Sequence, residues 1–302
     1  MRDRTTSTPA VSVIGLGAMG AGIARTFIDR GCRVSVWNRS RAKIDALVAE
    51  GAIACESPAD ALKDNTHIVV CLSDYAVWRS MIEAYSLADH IDGTCIIQLT
   101  TGTIEDVQGH ASFIHSKGGR LAEGAIMCYP RNLGTKDASL LLSGSPDVLE
   151  ECDSILSMLD ASWTNLGEDI NRPAVLSRSL MAGMTAALMG LVNGAAMCRA
   201  GGVPLDVFMR FYDKNNGIIR GEQTRLVEAI RDGRTKENEA SVKAWREGNE
   251  ALLSVAASLK TDLTLQSALQ TVFQQARQRG LDDHDLSALV DVFDPGTESS
   301  RS

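Results

Sequence analysis

Hydrophobic positions in the first half of the chain fall in short unbroken runs, separated by stretches in which apolar residues recur every three or four positions. The runs at 11–14, 67–72, 94–99, 120–127 and 138–143 read as strands buried on both faces, as a parallel sheet requires. A further strand ends at Trp37-Asn38-Arg39-Ser40. Between the strands, helical spacing predicts helices over 21–30, 41–50, 75–87, 103–117 and 146–160. Ser40 is placed to cap the second of these, and Ser57-Pro58 opens another short one. Strand and helix alternate throughout, which predicts an α/β, doubly wound Rossmann domain over 9–168.

From Arg172 the period is helical only. One helix to about 200, then shorter helices near 204–213, 217–231, 240–260, 264–279 and 284–292, predict a second, all-helical domain over 169–295. The segment 181–198 runs eighteen residues without a charge, long enough for a membrane span. Thr185, Asn193, three glycines and many alanines lower its hydrophobicity, and no aromatic belt flanks it, so a helix buried in protein is expected. Gly190 and Gly194 give that helix a flank where another can lie close. One long helix and a few short ones make a poor closed core, which predicts a homodimer.

Composition narrows the class. A chain of 302 residues with 44% hydrophobic content can fill two cores. A net charge of −8 and an isoelectric point near 5.2 disfavour a nucleic-acid partner. Seven scattered cysteines without a C-x-x-C pair fit reduced thiols in a cytoplasmic protein, with neither disulfide frame nor zinc. No signal peptide is evident at the N-terminus. The run Asp282-Asp283-His284-Asp285 reads as helix capping and not as a metal site.

The candidate chemistry starts at GLGAMG, residues 15–20, a G-x-G-x-x-G pattern between a strand and a helix. In such a turn Gly15 permits the bend, Gly17 lets a pyrophosphate approach, and Gly20 lets helix and strand pack closely. The second strand ends without the Asp or Glu that binds a free ribose 2′-hydroxyl; Arg39, with Arg41 and Lys43 nearby, suits a 2′-phosphate. NADPH is therefore the expected cofactor. In this fold the loops 15–20, 38–43, 72–77, 99–103 and 127–133 are expected to converge.

Together, GLGAMG, WNRSRAK, CLSD, IIQLTTGT, EGAIMCYPRNLGT and LLLSGS resemble the imine reductases and reductive aminases, a branch of the β-hydroxyacid dehydrogenase superfamily. The resemblance implies an NADPH-binding Rossmann domain, a long interdomain helix, and a helical domain exchanged between two subunits, with each active site between chains. It also implies cofactor contacts by Gly15, Leu16, Gly17, Ala18 and Met19 at the pyrophosphate. Asn38, Arg39, Ser40 and Lys43 would lie around the 2′-phosphate, with Cys71, Leu72, Thr100 and Thr101 nearer the nicotinamide. By the same resemblance, Lys243 and Trp245 lie in a helix that closes the site from the other subunit.

The catalytic position departs from the family. Where those enzymes carry Lys, Asp or Tyr on the long helix, this chain has Ser177, and no Lys, Asp, Tyr or His occurs between 174 and 194. A serine is too weak a base to oxidise a hydroxyacid at neutral pH, whereas a protonated iminium needs only hydride and orientation. The expected reaction is NADPH-dependent reduction of cyclic imines or iminium ions to amines. A divergent carbonyl or β-hydroxyacid reductase, or an NADPH-binding sensor with reduced catalysis, are the alternatives. Ser177 and Thr101 are the catalytic candidates; Ser177 either serves the proton chemistry or packs as a small helix residue. Met181, Met184 and Thr185 share its face, and Ile126, Met127 and Tyr129 approach from the sheet, as the expected substrate pocket.

Overall fold

The computed structural model describes residues 9–236, 239–294 and 296. In chain order the first part contains β1 (Ala10–Ile14), α1 (Ala18–Asp29), β2 (Arg33–Trp37), α2 (Arg41–Val48), β3 (Ile53–Ala54), α3 (Pro58–Asp64), β4 (His67–Val70), α4 (Tyr75–Ala84), β5 (Cys95–Gln98), α5 (Ile104–Ser116), β6 (Arg120–Ile126), β7 (Leu140–Ser143), α6 (Pro146–Leu159) and β8 (Thr164–Asn165). The strands form one sheet in the order β3-β2-β1-β4-β5-β6-β7-β8. All neighbours are parallel except β6 and β7, which run antiparallel. The expected doubly wound α/β fold is therefore present, as a mixed sheet. Its order reverses at β1 and β4, where such sheets open a crevice for a ligand.

Both sheet faces are covered, which explains the unbroken apolar strands. Val11, Val13, Val69 and Ile97 pack on one side with Ile23 and Phe27 of α1 and Ile155 of α6. Ile14, Ile68, Val70 and Ile96 pack on the other with Trp78 of α4 and Ile114 of α5. Helix starts follow the local chemistry: Ser57 and Asp60 form a capping box on α3, and Thr103 and Asp106 form one on α5. Ser40 stands at the N-cap of α2, but its side chain makes no capping bond.

The second part is helical: α7 (Arg172–Ala200), α8 (Leu205–Asp232), α9 (Val242–Ser258), α10 (Thr264–Gln278) and α11 (Val290–Phe293). The expected break between 213 and 217 is absent, and α8 is one helix of 28 residues. Asn and Gly lower helix propensity by about 1 kcal/mol or less each, too little by itself to end a long helix. Asn215 turns its amide onto the Phe211 carbonyl, 2.7 Å away. Two compact units divide between Ala182 and Gly183, within α7.

Within the second unit, a small core of Val242, Phe273 and Ala276 gathers Leu281, Leu286, Leu289 and Val292. Asn193 of α7 accepts from Gln266, and Asn249 donates to the Gln266 carbonyl. Asp285 caps the turn after it through the Ser287 amide and pairs with Arg225, while Asp282 pairs with Arg246. Asp285 thus caps, as expected of the acidic run, while its pairing and that of Asp282 were not expected. Gly194 lies against the Phe208 ring, but Gly190 faces open space. The apolar stretch of α7 is not buried within the chain: Met184, Met189 and Val192 are 52%, 51% and 60% exposed. This helix is long and apolar enough, by length and composition, to cross a membrane.

Candidate functional site: a dinucleotide cleft and a buried acid beside it

The loops after β1, β2 and β4 meet around a cleft of about 860 Å³. Of the expected cofactor residues, Gly15, Leu16, Gly17, Ala18, Met19, Asn38, Arg39, Lys43, Cys71 and Leu72 line it. The glycines divide their work as the turn demands. Gly15 has φ +96°, and a Cβ there would meet the Cys71 carbonyl at 2.3 Å; one on Gly20 would meet the Gly15 carbonyl at 1.9 Å. A Cβ on Gly17 would meet nothing, so the bare backbone at Gly17 opens to the cleft. Gly17 is also the N-cap of α1 and supplies no capping side chain, which leaves the first N–H groups of the helix for an anion.

Asn38 holds the two loops together: its Oδ1 accepts from the Leu16 amide at 3.0 Å. Arg39 and Lys43 are exposed and, among the described residues, make no ion pair. Arg41 is different, because Asp45 and Glu56 engage it. The basic pair at the cleft is therefore Arg39 and Lys43, without Arg41. Trp37 and Tyr85, edge to face with ring centres 5.5 Å apart, line the cleft as well. Cys71 is inert there, since burial pushes its thiol up to about 11.

Ser40 does not line this cleft, and neither do Thr100 or Thr101. Thr100 is one bond away, its hydroxyl accepting from the Leu72 amide at 3.0 Å. Thr101 and Ser177 instead line a crevice of about 20 Å³ with Thr100, Glu123, Ala174 and Arg178. Ile126, Met127, Tyr129 and Met181 do not line it, so the expected substrate wall is not assembled around Ser177 within this unit. Tyr129 is 66% exposed beneath the Arg131 guanidinium, and Ile126 and Met127 are half-buried at the end of β6. Loop 127–133 likewise does not reach the dinucleotide cleft. Met184 and Thr185 belong to the second unit, as do Lys243 and Trp245. There Trp245 lines an apolar groove with Leu252, Leu269 and Phe273, which Lys243 does not join.

A residue without an expected role stands out in the crevice. Glu123, in the middle of β6, is 2% exposed. Tyr75 of α4 donates to its Oε1 at 2.5 Å, and Oε2 has no partner among the described residues. Burial pushes the Glu123 carboxyl up to about 8, against the opposing effect of the Tyr75 hydrogen bond. Tyr75 in turn meets His110 edge to face at 5.5 Å, and burial holds that imidazole down at about 4. The sequence signal was an acid in the apolar strand LAEGAI, where a charge is costly unless paired.

Comparison with known proteins follows the two parts of the chain. Residues 10–167 match the family described as the NAD binding domain of 6-phosphogluconate dehydrogenase. Residues 169–295 match the NADPH-dependent reductive aminase-like C-terminal domain. An NADPH-dependent reductive aminase of Aspergillus oryzae is 26% identical over 95% of this chain and 97% of its own. Glyoxylate/succinic semialdehyde reductase 1 of Arabidopsis thaliana is 24% identical over 93% of this chain and 97% of its own. The imine reductase of Myxococcus stipitatus, solved in complex with NADP+, superposes with a TM-score of 0.90 at 26% identity, covering 94% of this chain and 100% of that one. A dinucleotide-binding half joined to a reductive aminase-like helical half places the chain in the imine reductase and reductive aminase family, an NAD(P)-dependent oxidoreductase branch of the 6-phosphogluconate dehydrogenase-like superfamily.

Proposed function

We propose that this protein is an NADPH-dependent reductase of C=N bonds, converting cyclic imines or iminium ions to amines. The observation that carries the reading is the chemistry of α7: from 174 to 194 it offers no Lys, Asp, Glu, Tyr or His, and Ser177 shares a crevice with Thr100 and Thr101 of the loop after β5. Oxidation of an alcohol needs a base that such a helix lacks, whereas an iminium accepts hydride without one. The reductive aminase-like second half supports the same choice.

The cleft fits a dinucleotide phosphate. Gly17 lets the pyrophosphate reach the start of α1, and Arg39 and Lys43 hold the 2′-phosphate as a fork and a point charge. When bound, the nicotinamide supplies the hydride. Ser177 Oγ donates to the Ala174 carbonyl at 3.1 Å, which leaves its lone pairs to accept from an iminium N–H or a water. A second copy of the chain covers the exposed face of α7 and completes the substrate pocket, with Trp245 among its walls.

Reduction of a small aldehyde is the second reading, favoured by the Arabidopsis relative. NADPH oxidation measured with a panel of cyclic imines against small aldehydes and oxo acids separates the two. Turnover confined to the imines is expected. Turnover confined to the carbonyl compounds would transfer the protein to the second reading, and tight NADPH binding without either would make it a sensor.

A further inference from the structure

We propose that Glu123 is the proton source for reduction at this site, delivering a proton through one water in the crevice and through Ser177. The proposal rests on the C=N reading above and adds to it the acid that α7 lacks.

The crevice joins three elements: Thr100 and Thr101 follow β5, Glu123 lies on β6, and Ala174, Ser177 and Arg178 lie on α7. Its volume of about 20 Å³ suits a single water, which needs a space of roughly 10–15 Å³ or more and two to four polar partners. The threonines, Ser177 and Glu123 line that space, and Oε2 of Glu123 is the carboxyl oxygen left without a partner among the described residues. Thr100, through its bond with the Leu72 amide, ties the crevice to the wall of the dinucleotide cleft.

The surroundings keep the Glu123 proton in place until it is needed. From α4 comes the Tyr75 hydroxyl. From α5 comes His110, held neutral by burial, while Asp106 of the same helix is taken by Arg79 of α4 at 2.8 Å. From β7 comes Ser143, directly opposite in register. Arg178 of α7 lines the crevice but is exposed and makes no ion pair with Glu123 among the described residues. With no cation paired to the carboxylate among the described residues, burial favours the acid form at neutral pH. A glutamine would accept the Tyr75 bond equally well without the burial cost, so packing alone does not account for an acid here.

Proton and electrons balance as follows. Hydride from NADPH forms the new C–H bond and the C=N π pair moves to nitrogen. Ser177 Oγ–H turns from the Ala174 carbonyl to that nitrogen, gives up its proton there and takes one from the water. The water takes the Glu123 proton, and the resulting carboxylate, still bonded by Tyr75, is reprotonated from solvent. A neutral imine requires this proton, whereas a permanently charged N-alkyl iminium does not. Glu123 acts through Ser177 and is a positioning residue in that sense.

The test uses the full-length protein with a neutral cyclic imine and its N-alkyl iminium counterpart. In Glu123→Gln the ratio of kcat for the neutral substrate to kcat for the charged one is expected to fall at least tenfold relative to the unaltered protein, with NADPH affinity retained. Both proteins meet the same solution protonation of the imine, so their comparison isolates the relay. In Tyr75→Phe the break in the neutral-imine pH profile, expected near 8, should move upward, because the bond that favours the carboxylate is gone. Ser177→Ala should reproduce the loss for the neutral substrate. Equal slowing of both substrates in Glu123→Gln, or an unmoved break in Tyr75→Phe, would overturn the proposal while leaving imine reduction intact. If Glu123→Gln does not fold, the Tyr75→Phe profile decides. Absence of C=N turnover in the unaltered protein would sink the function reading and the relay with it.

Discussion

At the scale of single residues, the glycine turn separates folding from binding. Gly15→Ala forces a Cβ onto the Cys71 carbonyl at a positive φ, and a loss of about 1–3 kcal/mol of stability is expected. Gly17→Ala meets no atom, so thermal unfolding should be unchanged while dinucleotide affinity drops, because the methyl occupies the approach to the backbone. Unfolding curves with and without cofactor check both. Arg39→Ala should weaken NADPH at least tenfold while NADH changes little, since only the former carries a 2′-phosphate. Equal losses by titration would remove the discriminator role. These residues were legible in the sequence because the turn is local and each glycine answers to its own neighbours. Arg41 was legible only in part: Asp45 is its i+4 neighbour on the expected helix, but Glu56 is identified as a partner only by where α2 lies.

At the scale of elements, apolar runs and helical periods located the major strands and helices, whereas β3 and β8, two residues each, carry too little pattern to be read. The largest departure is α8, where Asn215-Asn216-Gly217 reads as a break but lies within a continuous helix. Propensity is a weak local preference, and a cost of about 1 kcal/mol or less per residue does not by itself end a helix. A Cβ at Gly217 would meet nothing, so Gly217→Ala should raise stability by about 1 kcal/mol. A loss on chemical denaturation would mean that the helix is not continuous there. The apolar length of α7 was equally plain, but that the described residues of one chain leave it exposed was not, because hydrophobicity marks a need for burial and not where burial occurs.

At the scale of the whole molecule, the buried pair Glu123 and His110 sets opposing pH dependences. The Glu123 carboxyl rises from its ordinary 4.5 to about 8, so its contribution to stability is full below 4.5 and is lost as pH rises to about 8. The His110 imidazole falls from 6.5 to about 4, so its contribution is present above 6.5 and is lost as pH falls toward 4. The two slopes oppose each other between 4.5 and 6.5, and Glu123 acts alone above that. From pH 6.5 to 8 a loss of about 2 kcal/mol is expected, visible as a falling Tm that Glu123→Gln abolishes. A flat Tm over that window in the unaltered protein would contradict a buried carboxylic acid.

The sequence by itself determined the doubly wound half, the glycine turn, the basic residues Arg39 and Lys43 beside it and the helical second half, because each is written in contiguous residues whose spacing obeys backbone geometry. Only the tertiary structure decided that Glu123 of β6 meets Tyr75 of α4, 48 positions earlier, and shares a crevice with Ser177 of α7. Sheet order and helix packing made that juxtaposition, and no local period records it. The lack of Lys, Asp, Glu, Tyr or His from 174 to 194 was visible from the chain alone; the buried acid that shares the crevice of Ser177 became visible only when β5, β6 and α7 were brought together.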